Sequence, residues 1–125
     1  MIKIGIIGSG SWATALAKLT LNNTNHINWY VRKQEDCDYF KEYKNNPRYL
    51  SSIEFNTDNI TFYNSIVDCI RNSNLIILAI NSARRAILTS SRNIEKSIFA
   101  IASPISYACI YSTINTAYLR IKNRI

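Results

Sequence analysis

Near the start of the chain, Gly8, Gly10 and Ala13 stand at a Gly-x-Gly-x-x-Ala spacing, with Ser9, Ser11 and Trp12 between them. The 125 residues include only three glycines, and all of them, Gly5, Gly8 and Gly10, fall in the first ten positions. This spacing suits the binding of a phosphate. The first glycine permits a tight turn, the second lets a pyrophosphate approach the backbone, and the small third residue keeps a helix close to a strand. The helix that follows offers unpaired N–H groups and the positive end of its dipole to such an anion. The same residues would equally serve a strand-to-helix turn that binds nothing, so both readings stand at this point.

A second pair that could do chemistry is Arg32 and Lys33, which close the apolar run Ile27 to Val31. In a site for NAD that position, roughly 20 residues after the glycines, usually carries a carboxylate for the ribose hydroxyls. Here no carboxylate appears until Glu35 and Asp36. A guanidinium accepts a 2′-phosphate that a carboxylate would repel. The expected cofactor is therefore NADP, with NAD the alternative, unless Arg32 only stacks on an adenine or faces solvent. Asn81 and Ser82, which end the run Leu75 to Ile80, place polar groups at the carboxyl edge of a parallel sheet, where ligands sit. The residues suggest no metal site and no catalytic residue. His26 stands alone, and Cys37, Cys69 and Cys109 lack a Cys-x-x-Cys pair, as expected of buried thiols in a reducing compartment.

Positioning these residues takes an alternation of strands and helices. Ile2 to Ile7 reads as a strand buried on both faces, followed from Ser11 or Trp12 by a helix with Ala13, Leu16, Ala17, Thr20 and Leu21 on one side. Ile27 to Val31 is a second strand. Gln34 to Lys44 is a helix that turns Cys37, Phe40 and Tyr43 inward and stops at Asn45-Asn46-Pro47. Arg48 to Asn59 reads as loop and Ile60 to Tyr63 as a strand. Asn64 or Ser65 caps a short helix through Arg71 with Ile66, Val67 and Ile70 buried. Leu75 to Ile80 is the next strand, a helix begins at Arg84, and Ser97 to Ala102 is a further strand. The predicted class is α/β, a Rossmann-type doubly wound parallel sheet forming a single, incomplete domain. Residues 1–105 would form the dinucleotide-binding domain, and 106–125 an amphipathic helix of the same domain with Tyr107, Ile110, Tyr111, Ile114, Tyr118, Ile121 and Ile125 on one side.

A formal charge of +7 raises the question of nucleic acid, but the basic residues are scattered and no aromatic-interleaved basic stripe appears. A phosphate-bearing cofactor and substrate explain the balance as well. No run of 18 apolar residues suggests a membrane span. Because Met1 leads straight into a strand, the expected location is the cytoplasm. The Ile- and Tyr-rich tail leaves self-association, such as a homodimer, open.

Taken together, Gly8-Ser9-Gly10-Ser11-Trp12-Ala13-Thr14-Ala15-Leu16-Ala17, Trp29-Tyr30-Val31-Arg32, Asn46-Pro47-Arg48-Tyr49-Leu50 and Leu75 to Ser82 resemble the amino-terminal domain of NAD(P)-dependent glycerol-3-phosphate dehydrogenases, over roughly residues 1 to 90. The resemblance implies a cytosolic enzyme that interconverts glycerol 3-phosphate and dihydroxyacetone phosphate by hydride transfer, feeding phospholipid synthesis. By position, Ser11 and Trp12 would meet the cofactor beside its pyrophosphate, Arg32 and Lys33 would hold the adenosine end with Tyr49 near it, and Asn81-Ser82 would border the nicotinamide.

Three departures qualify what the resemblance implies. The family has proline where Asn81 stands, and a Lys-Gly pair where this chain reads Ala102-Ser103-Pro104-Ile105-Ser106-Tyr107. Ser106, the positional counterpart of that lysine, cannot supply a fixed positive charge to a phosphate-bearing ketone. The family's carboxyl-terminal helical domain has no counterpart in these residues. The chain alone is therefore expected to be inactive, its phosphate substrate requiring a second domain. A non-catalytic dinucleotide-binding module or inactive remnant is the alternative function.

Overall fold

The computed structural model describes residues 2–80 and 98–101, with side chains for 2–80. The expected helix from Arg84 and amphipathic tail, together with Asn81, Ser82, Cys109 and Ser106, lie outside the described residues, so the division at residue 105 is not addressed by them. The elements run β1 (Ile4–Ile7), α1 (Ser11–Leu21), β2 (Ile27–Tyr30), α2 (Gln34–Tyr43), a 3₁₀ turn at Thr57–Asn59, β3 (Ile60–Tyr63), α3 (Ile66–Arg71), β4 (Leu75–Leu78) and β5 (Ile98–Ile101). All strand pairs are parallel and the spatial order is β3-β2-β1-β4-β5. The strand order reverses between β1 and β4, and the crevice outside their carboxyl ends is where ligands of such sheets sit.

The alternation of side chains along each strand decides which helix meets which face. Ile4 and Ile6, Ile27 and Trp29, and Leu75 and Ile77 point to one side, where Ala13, Leu16 and Ala17 of α1 and Cys37 and Phe40 of α2 cover them. Ile7, Ile76 and Leu78 point to the other, where Cys69 and Ile70 of α3 pack. Trp29 is the centre of the first face. Its ring lies 5.0 Å from Phe40, 5.5 Å from Phe55 and 6.0 Å from Phe62 between centroids.

Three sequence expectations change. Tyr43 is 54% exposed and pairs with Tyr39 at 4.4 Å on the outer side of α2 instead of entering the core. Helix α2 stops earlier than Asn45-Asn46-Pro47, because Lys44 turns left-handed (φ 59°) and sends its carbonyl to the N–H of Phe55 at 2.7 Å. That bond brings Phe55, in a stretch that reads as polar loop, fully into the core. On α3, capped by the Ser65 side chain, Val67 is 44% exposed and Cys69 takes the buried position. Six residues make less than two turns, so only one narrow stripe of this helix can face the sheet.

Candidate functional site

The segment from β1 to α1 turns at Gly8, whose φ of +125° is a conformation that side-chain-bearing residues rarely adopt. A Cβ there would also collide with the carbonyl oxygen of Ala79, just beyond β4. The Ala79 N–H in turn donates to the Ile7 carbonyl at 2.9 Å. The turn is therefore seated directly against the end of β4 at the switch point. Gly10 is different. Its φ is −74°, open to any residue, and a Cβ on it would meet no protein atom within 4 Å. Packing within the described residues does not demand glycine here, and the missing side chain leaves open space in front of α1.

Helix α1 begins at Ser11 with Gly10 as its N-cap, and no side chain caps its first turn. Ser11 is exposed, Trp12 is half-buried against the core, and Ala13 is fully buried, so its small side chain sets the close approach of α1 to the sheet. Ser9 forms the middle of the turn, and its carbonyl accepts from the Asn46 side-chain amide at 3.1 Å.

At the neighbouring strand, Arg32 and Lys33 follow β2 and are both exposed, Lys33 standing at the N-cap of α2. Tyr49 is 46% exposed, in the segment after α2. Its backbone N–H and that of Arg48 donate to Asn46 Oδ1 at 3.1 and 2.9 Å. The Arg48 guanidinium reaches back to Asp36 at the start of α2, with both contacts at 3.3 Å. The glycine turn and the Tyr49 segment thus share one buried anchor, Asn46, which is 2% exposed. Sequence reasoning used Asn46 as part of a helix stop and of the Asn46-Pro47-Arg48-Tyr49-Leu50 motif, and missed this role. Its place three residues before Tyr49, with a proline between, was the available signal.

Other titratable groups serve the fold. Burial pushes the Cys69 thiol up to about 12, the main effect being loss of water around the thiolate. Burial likewise raises Cys37, which also lies 3.5 Å from the Asn64 amide. His26 pairs through Nε2 with the Thr61 hydroxyl at 2.8 Å. Among the described residues no helix is long and apolar enough to cross a membrane.

Comparison with known proteins follows the same lines. Residues 3–103 match the family model described as the NAD-dependent glycerol-3-phosphate dehydrogenase N-terminus. The glycerol-3-phosphate dehydrogenase (NAD(P)+) of Agathobacter rectalis is 32% identical over 82 residues, which are 66% of this chain and 24% of that protein. That of Geobacillus kaustophilus is 26% identical over 111 residues, covering 88% of this chain and 30% of the relative. The chain thus spans about a quarter of the length of the curated relatives it matches. Among solved structures, glycerol-3-phosphate dehydrogenase from Coxiella burnetii superposes with a TM-score of 0.68 at 20% identity, over 93% of this chain and 37% of that one. The yeast enzyme gives 0.69 at 19%, over 81% and 33%. A diketoreductase at 14% identity and a TM-score of 0.56 carries the same fold. The parallel sheet is therefore the shared fold, and by its match over residues 3–103 the chain belongs to the NAD-dependent glycerol-3-phosphate dehydrogenase family.

Proposed function

We propose that this chain is the cofactor-binding part of an NAD(P)-dependent glycerol-3-phosphate dehydrogenase. The observation that carries the reading is Gly10, whose missing side chain answers to neither backbone strain nor packing among the described residues, yet opens space before an uncapped helix start. A pyrophosphate there would accept from the first N–H groups of α1 and gain from the helix dipole. Gly8, Ser9, Gly10, Ser11, Trp12 and Ala13 form the phosphate end of the site in this reading. Arg32 and Lys33 take the adenosine end, where two exposed cations favour a 2′-phosphate and hence NADP over NAD. Tyr49 borders the adenosine side, and Asn81 and Ser82 the nicotinamide side.

When bound, the nicotinamide supplies the hydride chemistry that interconverts glycerol 3-phosphate and dihydroxyacetone phosphate. The residues of this chain bind and orient the cofactor. No lysine stands at Ala102 to Tyr107 to hold the phosphate-bearing ketone, so residues 1–125 bind dinucleotide without turning over substrate, as a cytoplasmic protein completed by a further domain. A purely dinucleotide-binding module remains the second reading, favoured by that same missing lysine.

Titrating the purified chain with NADPH and with NADH, followed by energy transfer from Trp12 and Trp29, tests the proposal. Saturable binding with NADPH the tighter ligand is expected. A folded chain that binds neither overturns the cofactor assignment, and tighter NADH binding overturns the role given to Arg32.

A further inference from the structure

The glycine turn is held from behind by three buried side chains from three different elements. The Trp29 indole N–H, on β2, donates to the Gly8 carbonyl at 2.6 Å. The Asn46 amide, after α2, donates to the Ser9 carbonyl at 3.1 Å. The Gly10 carbonyl, which takes the first backbone bond of α1 from the Thr14 N–H at 3.0 Å, also accepts from the Thr14 hydroxyl at 2.7 Å. Asn46 Nδ2 gives its second hydrogen to that same hydroxyl at 2.8 Å, so two of the three are linked directly. Asn46 Oδ1 meanwhile accepts from the N–H groups of Arg48 and Tyr49, and with two donated and two accepted bonds the amide is fully occupied.

We propose that Trp29, Asn46 and Thr14 are positioning residues that set the direction of the phosphate-binding peptides before any ligand arrives. The inference rests on the reading of this turn as a cofactor site. In a planar trans peptide the carbonyl of one residue and the N–H of the next point in opposite directions. Anchoring the carbonyls of Gly8, Ser9 and Gly10 inward therefore turns the N–H groups of Ser9, Gly10 and Ser11 away from the clamp. Three successive donors of this kind make an anion-binding concavity. Donors fixed in advance spare the ligand the cost of ordering them. Asn46 also joins the turn to the segment bearing Tyr49, so the phosphate end and one wall of the adenosine end move as a unit.

The test uses the full 125-residue chain, labelled with ¹⁵N, in four forms: parent, Thr14→Ser, Thr14→Val and Asn46→Ala. With three glycines in the sequence, the Gly8 and Gly10 amides are readily assigned. Relaxation of the Gly10 and Ser11 amides reads the clamp without any ligand, and NADPH titration reads its consequence. The parent and Thr14→Ser, which keeps the hydroxyl, are expected to show order parameters of about 0.85, and Thr14→Val and Asn46→Ala to fall toward about 0.6. Their NADPH affinity should drop about tenfold. Variants whose turn stays as ordered as the parent's overturn the proposal, whether or not their affinity changes. If the parent fails to bind NADPH, the cofactor reading fails, and the relaxation data alone still decide the clamp. Should Asn46→Ala not fold, Thr14→Val against Thr14→Ser makes the same distinction.

Discussion

At the end of β1 the backbone of Gly8 to Gly10 is tied down by buried side chains from β2, α1 and the segment after α2, whereas at the end of β2 Arg32 and Lys33 reach into solvent on flexible stems. In the proposed site the first region would meet a phosphate with main-chain N–H groups, whose direction depends on everything packed behind them. The second offers charge on long side chains, which need only be anchored at the right strand end. A pyrophosphate common to all dinucleotides suits the rigid arrangement. A 2′-phosphate that separates one cofactor from another suits the adjustable one, where single substitutions can change preference without disturbing the fold.

Substitutions in the glycine turn should break this contrast most severely, and the two glycines should fail in different ways. Gly8→Ala places a side chain at positive φ against the Ala79 carbonyl and should cost about 3 kcal/mol or more, lowering the melting temperature by roughly 10 °C. Gly10→Ala should melt with the parent or slightly above it, since Ala restricts the unfolded chain. Its Cβ intrudes where the pyrophosphate would lie, so NADPH binding should weaken about a hundredfold. Equal loss of stability in both variants would show that the turn needs both glycines for folding.

The β2 end should respond more mildly and selectively. Arg32→Ala should weaken NADPH binding roughly tenfold, the value of one charge-assisted hydrogen bond. NADH binding and the melting temperature should stay near the parent's. Equal weakening of both cofactors would make Arg32 a general adenosine contact and remove the distinction between the two regions.

A smaller effect concerns Cys69, on the face of the sheet opposite α1. Its thiol is pushed from 9.0 to about 12, so the folded state keeps the proton where the unfolded chain releases it. The stability this contributes is fully present below pH 9 and is lost as pH rises from 9 toward 12. The loss should approach about 1.4 kcal/mol per pH unit in that window. Denaturant midpoints at pH 8, 9 and 10 for the parent and Cys69→Ala measure it. A parallel decline in the variant would trace the effect to other groups.

Much of this was legible from the residues in order. Continuous apolar runs marked β1 and β4, because strands buried on both faces have no polar side to show. The fingerprint was readable because each of its residues acts on its immediate neighbours: Gly8 through its own φ, Gly10 through the space at a helix start, Ala13 through the nearest strand. Tyr43, Val67 and Phe55 were misread for the opposite reason. Short helices have room for few inward positions, and which aromatic or aliphatic residue occupies them depends on the elements packed opposite.

The sequence by itself determined the α/β alternation, the glycine turn and the basic end of β2, since these follow from local conformation and hydrophobic patterning. Only the tertiary structure decided that Trp29, Asn46 and Thr14 converge on three successive carbonyls of that turn. Trp29 and Asn46 lie 21 and 37 residues from their partners. A hydrogen bond across such a separation exists only once the sheet order β3-β2-β1-β4-β5 has brought β2 and the end of α2 alongside β1. No pattern of neighbouring residues encodes that juxtaposition, because it is a property of how the buried faces pack.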